Sequence, residues 1–284
     1  RNLLNSPVIS GVPSAEKEAE GELFDDLFAL KKPRSHFAEA FRTARTALAF
    51  SSTDKPLRSL VVTSTMPSEG KTLTAINIAI AYAQTGKRTL LLDTDMRKPR
   101  LHKVFKEVHE IGITNLLVSD AGTLSPEEAI VPTGIENLFF LPTGPIPPNP
   151  VEMLDSARFV QLIEELQKRY DLLIFDAPPV LNLVDALVIG KRVDGLLLVA
   201  RTFVTNKYAA QQVGKQIDTS KVKMLGVILN NVDMPSGTSY YYSSYYSRYG
   251  SYYYAEEGKS RKPRKRGWFG QVSEKMGLGR KRNT

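Results

Sequence analysis

Ser64-Thr65-Met66-Pro67-Ser68-Glu69-Gly70-Lys71-Thr72 follows the apolar run Leu60-Val61-Val62 and opens a helix-like segment from Leu73 to Gln84. Strand, tight loop and helix in that order are the context of a phosphate loop. The backbone of Pro67, Ser68, Glu69, Gly70, Lys71, Thr72 and Leu73 is the expected cradle. Its N–H groups and the helix N-terminus are aimed at phosphate oxygens, with Pro67 alone lacking a donor. Lys71 is placed to reach the outer phosphates, and Thr72 to set its hydroxyl on Mg²⁺. The usual pattern, GxxxxGK[ST], starts with glycine, and Thr65 stands there instead.

Working outward, apolar strands alternate with helical segments from Leu57 to Asn231. The strands are expected at Arg58–Ser64, Arg88–Asp93, Leu138–Leu141, Leu172–Asp176, Gly195–Ala200 and Met224–Asn230. The helices are expected at Lys71–Thr85, Pro99–Phe105, Ile113–Val118, Ser125–Ile130, Ala157–Tyr170, Asp185–Lys191 and Asn206–Ile217. Near-continuous apolar strands between helices predict an α/β fold of the P-loop NTPase type, with a mostly parallel sheet covered on both faces. Pro142 to Pro150 reads as a stiff connection.

A phosphate loop needs acidic partners for its cation, and these belong at the C-terminal ends of neighbouring strands. Leu90-Leu91-Leu92 runs into Asp93-Thr94-Asp95, and Leu172 to Phe175 runs into Asp176. Asp176 is the natural Mg²⁺ carboxylate. Asp93 and Asp95 are close enough to share one metal and one attacking nucleophile, although an aspartate at a strand end also caps the next helix. Asn230, after the last strand, has two readings: an amide for an adenine edge, or a strand-ending turn.

Upstream, Phe37, Phe41, Ala44 and Leu48 share one face of a helix spanning His36 to Phe50. Glu39, Arg42 and Arg45 lie three apart on another face, which by pattern alone is a solvated face with weak ion pairs. Residues 1–34 read as a linker with one short strand at Pro7–Pro13. The chain opens at Arg1 with its first methionine at Met66, and is expected to continue a longer protein.

Composition narrows the chemistry. The 284 residues contain no cysteine and three histidines without ligand spacing, which excludes disulfides and thiolate metal sites and disfavours zinc. The net charge is +8, yet residues 255–284 hold ten Lys/Arg against three Glu. The folded part is therefore near neutral and is not a basic nucleic-acid binder. After Pro235 the aliphatics disappear. Tyr240, Tyr241, Tyr242, Tyr245, Tyr246, Tyr249, Tyr252, Tyr253 and Tyr254 are interleaved with Ser and Gly, and a basic run with Trp268 and Phe269 follows. Both stretches read as a flexible C-terminal tail.

These motifs together resemble the bacterial tyrosine kinases, specifically the cytoplasmic kinase domain of polysaccharide co-polymerases. The loop is similar to that family's Walker A motif, with Ser68 replacing a glycine. Leu91-Leu92-Asp93-Thr94-Asp95-Met96-Arg97-Lys98-Pro99 is similar to its additional Walker A′ motif, and Leu173 to Asp176 to its Walker B. Gly144 to Leu154 resembles another typical stretch, and Glu39-x-x-Arg42-x-x-Arg45 its subunit-interface motif.

The resemblance implies ATP and Mg²⁺ as cofactors and phosphorylation of the tyrosine cluster in trans, within a ring of about eight copies. It implies that Thr72, Asp95 and Asp176 hold the metal, and that Asp93 is the better candidate to act on the tyrosine hydroxyl, the split with Asp95 being open. It further implies a membrane partner of chain-length-determinant type, fused or separate, a cognate phosphatase, and a place at the cytoplasmic face of the inner membrane. The domain layout expected is a juxtamembrane linker (1–34), kinase domain (35–235), tyrosine cluster (236–254) and basic tail (255–284). The tail has three readings: solubilising, binding to anionic lipid, or, least in keeping with a neutral domain, binding nucleic acid. Ser68 gives up backbone freedom where a phosphate loop calls on φ > 0, so weaker nucleotide binding without its loss is expected. Two rivals stand beside this reading. One is a partitioning or positioning ATPase of the ParA/MinD kind, whose loop carries a second lysine where Met66 stands. The other is a non-catalytic scaffold.

Overall fold

The strands of this chain are built for burial on both faces. In the strand β2 (Ser59–Ser64), Leu60 and Val62 face one hydrophobic core and Val61 the other. The same alternation runs through β3 (Thr89–Asp93), β6 (Leu172–Asp176) and β7 (Leu196–Arg201). That two-residue period is the pleat itself, and it forces a layer of helices onto each side. The computed structural model describes residues 6–14, 25–51, 55–106, 110–119 and 123–233. The tyrosine cluster and the basic tail lie outside them.

The eight-stranded sheet has the order β1-β8-β7-β2-β6-β3-β5-β4, where β1 is Val8–Pro13, β4 Val131–Pro132, β5 Leu138–Leu141 and β8 Met224–Val232. All pairings are parallel except β4 with β5. One face is covered by α2 (His36–Phe50) and α3 (Lys71–Ala83), preceded by the single turn α1 (Phe28–Lys31). Ser35 starts α2 by accepting a hydrogen bond from the Ala38 N–H at 3.1 Å. Phe37, Phe41, Ala44 and Leu48 are fully buried along the predicted face. Helix α3 is buried almost all round, as its apolar sequence requires.

In chain order the helices α4 (Leu101–Phe105), α5 (Ile113–Val118), α6 (Pro126–Ala129), α7 (Pro150–Leu154), α8 (Ala157–Gln167), α9 (Asp185–Gly190) and α10 (Lys207–Ser220) follow. Helices α8, α9 and α10 cover the second face through Phe159, Leu166, Ile189, Val213 and Ile217.

The structure departs from the sequence reading chiefly before residue 35. There β1 pairs with β8, Val8 opposite Val227 and Pro13 opposite Val232, and α1 buries Phe28 and Ala29. This part of the stretch read as linker is a working edge of the sheet. Arg100 adds a link to it, donating to both carboxylate oxygens of Asp26 at 3.0 and 3.1 Å. Two short elements, β4 and α7, were not anticipated; His36–Phe50, Ile113–Val118, Leu138–Leu141 and Leu172–Asp176 fall where expected, and the other boundaries shift by one to three residues. Among the described residues no helix is long and apolar enough to cross a membrane.

Candidate active site

Register brings the predicted carboxylates together. β6 lies between β2 and β3, with Val62 opposite Asp176 and Asp93 opposite Asp176. The loop after β2 and the acidic ends of β3 and β6 therefore share one rim of the sheet, the rim where open α/β folds bind ligands. Buried hydroxyls lock the strand ends: Thr94 Oγ1 donates to the Asp176 carbonyl at 2.8 Å, and Thr143 Oγ1 to the Asp93 carbonyl at 2.7 Å.

The loop itself uses two positive-φ residues. Gly70 caps α3 with φ 96°, and Ser68 has φ 65°. Position 68 thus demands the left-handed conformation that was suspected from the sequence, and a serine bears a strain there that glycine would not.

Lys71 leaves the loop toward the carboxylates, with its Nζ 2.9 Å from Asp95 Oδ2 and 3.4 Å from Asp176 Oδ1. Burial by itself would lower the pKa of its ammonium, but the charges of Asp176 and Asp95 outweigh that, and the pKa ends above the ordinary lysine value. Thr72 Oγ1 donates to Asp176 Oδ2 at 2.7 Å. Asp176 is completely buried, and burial raises its carboxyl despite Lys71 and Thr72.

The two aspartates after β3 divide their work. Asp95 spends both oxygens, one on Lys71 and the other on the Lys98 N–H at 3.0 Å. Asp93 caps α4: its Oδ2 accepts from the N–H groups of Arg100 and Leu101 at 3.1 and 3.0 Å. Its Oδ1 is buried and has no hydrogen-bond partner. Burial first, then the neighbouring Asp176, pushes the Asp93 carboxyl up to about 7. The capping reading of Asp93 is met by Oδ2, and Oδ1 is left over.

Asn230 ties the end of β8 to the phosphate loop. Its Nδ2 donates to the Glu69 carbonyl at 2.9 Å and its Oδ1 accepts from the Asn231 N–H at 2.9 Å. One donor and one acceptor of the amide are used inside the protein; the second N–H and the second lone pair are what the adenine-edge reading calls on. Sequence reasoning also passed over Arg201 and Thr205 at the end of β7, which contact Ser68 and Glu69, and the pairing of Arg97 with the buried Asp185 at 3.2 Å. The only available signal was their position just after a strand adjacent to β2.

Away from this rim, Glu39 Oε2 accepts from Arg42 Nε at 2.7 Å, and Arg42 also donates to the Pro33 carbonyl at 2.8 Å. Arg45 donates to the Ala81 carbonyl at 3.1 Å and fastens α2 to α3.

The donor set at the rim is one hydroxyl and carboxylates, hard oxygens suited to Mg²⁺. Among the described residues no cluster of three or more acidic, imidazole or thiolate groups forms a metal cage of its own.

Residues 66–222 match a family model described as an AAA domain. The tyrosine-protein kinase YwqD of Bacillus subtilis is 38% identical over 217 residues, which are 76% of this chain and 90% of YwqD. The kinase domain of the Escherichia coli tyrosine kinase ETK aligns with a TM-score of 0.75 at 29% identity, covering 84% of this chain and 96% of that one. The chain belongs to the bacterial tyrosine-protein kinases.

In this tyrosine kinase the phosphate-loop fold and the family are as the sequence motifs implied. The tyrosine-protein kinase wzc of Salmonella typhimurium is 34% identical over 83% of this chain but only 31% of its own length, so this chain spans about a third of that protein. The MinD protein of Pyrococcus horikoshii, solved with Mg-ADP, is more distant. Its TM-score is 0.52 at 25% identity, over 63% of this chain and 74% of that one. The partitioning-ATPase alternative is set aside as a distant relation of the same fold, and the non-catalytic scaffold falls with the family assignment.

Proposed function

We propose that this kinase transfers the γ-phosphoryl group of Mg²⁺-bound ATP to tyrosines among Tyr240–Tyr254 of a second copy of itself, and so regulates polymerisation or export of a capsular or extracellular polysaccharide. The observation that carries the site assignment is Lys71, held between Asp95 and Asp176 beside the Thr72–Asp176 hydrogen bond.

Bound Mg²⁺·ATP supplies the phosphoryl group and neutralises its charge. The protein's part is positioning and electrostatics. Lys71 and the N–H groups of residues 68–73 bind phosphate oxygens. Thr72, Asp95 and Asp176 hold the cation. When nucleotide enters, Lys71 exchanges its carboxylate partners for phosphate, which frees Asp95 and Asp176. The Asp93 Oδ1, unpartnered among buried atoms, accepts the proton as the tyrosine oxygen bonds to phosphorus and the bond to the ADP oxygen breaks.

A ring of copies brings one chain's tail to another's site, and Glu39, Arg42 and Arg45 on α2 are the proposed ring contact. In this reading the kinase works at the cytoplasmic face of the inner membrane with a chain-length-determinant membrane region, and a phosphatase reverses the reaction. The basic run around Trp268 and Phe269 adds attraction to anionic lipid, each Lys or Arg near such a surface contributing about 1 kcal/mol.

The deciding experiment mixes an active chain truncated before residue 236 with a full-length Lys71→Met chain, adds ATP and Mg²⁺, and maps phosphotyrosine by mass spectrometry. Label on the Lys71→Met chain is expected. An unlabelled Lys71→Met chain would refute transfer between copies, and a Lys71→Met chain that labels itself when alone would refute the site.

A further inference from the structure

The phosphate loop is held on its far side, away from the carboxylates, by the ends of β7 and β8. Glu69 is completely buried. Its Oε2 accepts from the Met66 N–H at 2.8 Å, and its Oε1 accepts from the Thr205 hydroxyl. The Thr205 oxygen in turn accepts from the Arg201 N–H at 2.8 Å, and the Thr205 N–H donates back to the Arg201 carbonyl at 2.9 Å. Residues 201–205 therefore close on themselves as one turn. Arg201 Nη1 then donates to the Ser68 carbonyl at 3.3 Å, and Asn230 Nδ2 to the Glu69 carbonyl at 2.9 Å. Thr202 N–H donates to the Asn230 carbonyl at 3.0 Å, which ties the two strand ends to each other.

The consequence follows from peptide geometry. In a planar trans peptide the C=O and the following N–H point in opposite directions. Holding the Ser68 and Glu69 carbonyls from the β7–β8 side directs the N–H groups of Glu69 and Gly70 the other way, into the loop. Those are donors a phosphate needs. Both peptides flank positive-φ residues, Ser68 and Gly70, where a peptide flip is the natural way for an unheld loop to lose its cradle. Side chains on two other strand ends fix both planes here.

Resting on the phosphate-loop reading of residues 64–72, we propose that Arg201, Thr205 and Asn230 are positioning residues for phosphoryl transfer: a brace that aims the Glu69 and Gly70 N–H groups at the nucleotide phosphates. Thr205 is its keystone, since one hydroxyl oxygen joins the buried Glu69 carboxylate to the turn that carries Arg201. None of the three needs to touch the nucleotide for this effect.

The test uses the full chain and a fluorescent ATP analogue with Mg²⁺, with Lys71→Met as the control for the loop itself. Thr205→Val keeps the shape and removes the hydroxyl, while Thr205→Ser retains it. Thr205→Val is expected to weaken nucleotide binding about ten-fold, the loss of one hydrogen bond to a charged group. Thr205→Ser should stay within about two-fold of the parent, and KM for ATP should rise more than kcat falls. Equal affinity for Thr205→Val and parent, or equal loss in the Val and Ser variants, overturns the brace. Should Thr205→Val fail to fold, Arg201→Met decides the matter by the same titration, with parental affinity overturning the proposal. If Lys71→Met binds as tightly as the parent, the loop assignment falls and takes the brace with it. Weakened binding in Lys71→Met with parental binding in Thr205→Val removes the brace alone.

Discussion

Replacing Gly70 by alanine tests the loop geometry at its tightest point. Gly70 sits at φ 96°, and a Cβ placed on it would lie 2.2 Å from Asn230 Nδ2. No rotamer choice avoids this, because alanine has none, so Asn230 has to move. Moving breaks its 2.9 Å hydrogen bond to the Glu69 carbonyl, a loss of about 0.5–1.5 kcal/mol. The left-handed backbone adds about 1–2 kcal/mol for any residue with a Cβ. Together these come to about 1.5–3.5 kcal/mol. Expressed in nucleotide affinity, that is roughly a 10- to 300-fold weakening.

The assay is titration with a fluorescent ATP analogue, run on Gly70→Ala, Asn230→Ala and the double variant. Asn230→Ala alone should weaken binding roughly 3- to 10-fold through the same hydrogen bond. In the Gly70→Ala background the bond is already broken, so adding Asn230→Ala should cost almost nothing further. A double-mutant cycle reads that non-additivity directly. Strictly additive losses would show that Asn230 and Gly70 act independently and would refute the clash. Parental affinity in Gly70→Ala would refute the loop conformation altogether.

Ser68→Gly should act in the opposite direction. Relief of about 1–2 kcal/mol of left-handed strain is partly offset by about 0.4–1 kcal/mol of unfolded-state entropy. A small rise in melting temperature is expected, and a fall would contradict the strained geometry. Asp93→Asn keeps an acceptor for the Arg100 and Leu101 N–H groups but removes the proton acceptor. Nucleotide binding should persist while phosphotyrosine formation drops by about 10²- to 10⁴-fold, and a rate within a few-fold of the parent would remove Asp93 from that role. Glu69 titrates above its ordinary 4.5 because of burial. A raised folded value means that its contribution to stability is complete below about pH 4.5 and is lost as pH climbs through the raised value. Thermal melts of the nucleotide-free chain should show Glu69→Gln flattening part of this decline, by at most about 1.4 kcal/mol per pH unit. An unchanged slope would mean that Glu69 is not the titrating group.

The parallel sheet was legible because its signal is redundant: each of β2, β3, β6 and β7 is an apolar run too short and too buried to be anything else, and each is followed by polar loop residues. Lys71, Thr72, Asp93, Asp95 and Asp176 were legible because the chemistry ties them to strand ends. Other features gave no such signal. Val8–Pro13 was legible as a short strand, but its place as the sheet edge beside β8 was not. The turn α1 exists because Phe28 packs on Phe37, with ring centroids 5.6 Å apart, a contact that sequence spacing does not encode. The bond from Asn230 to the loop was not legible, since its partner, the Glu69 carbonyl, is a backbone atom 161 residues away. Arg201 and Thr205 escaped for the same reason. Long-range side-chain bonds, to backbone or to another side chain, leave no pattern in a single sequence.

The parallel pairing of β1 with β8 also sets the rims at which Ser6 and Asp233 lie. A strand of six residues spans about 20 Å, and in a parallel sheet every strand crosses that distance in the same sense. Ser6 therefore enters at the rim opposite the phosphate loop, whereas Asp233 leaves at the rim that carries it. A tether ahead of Ser6 would grip the far rim and leave the catalytic rim facing outward, toward whatever stands beside it. Load on that tether would be borne in shear by β1 against β8, and the loop that cradles the phosphates, two strands further in, would be spared the pull.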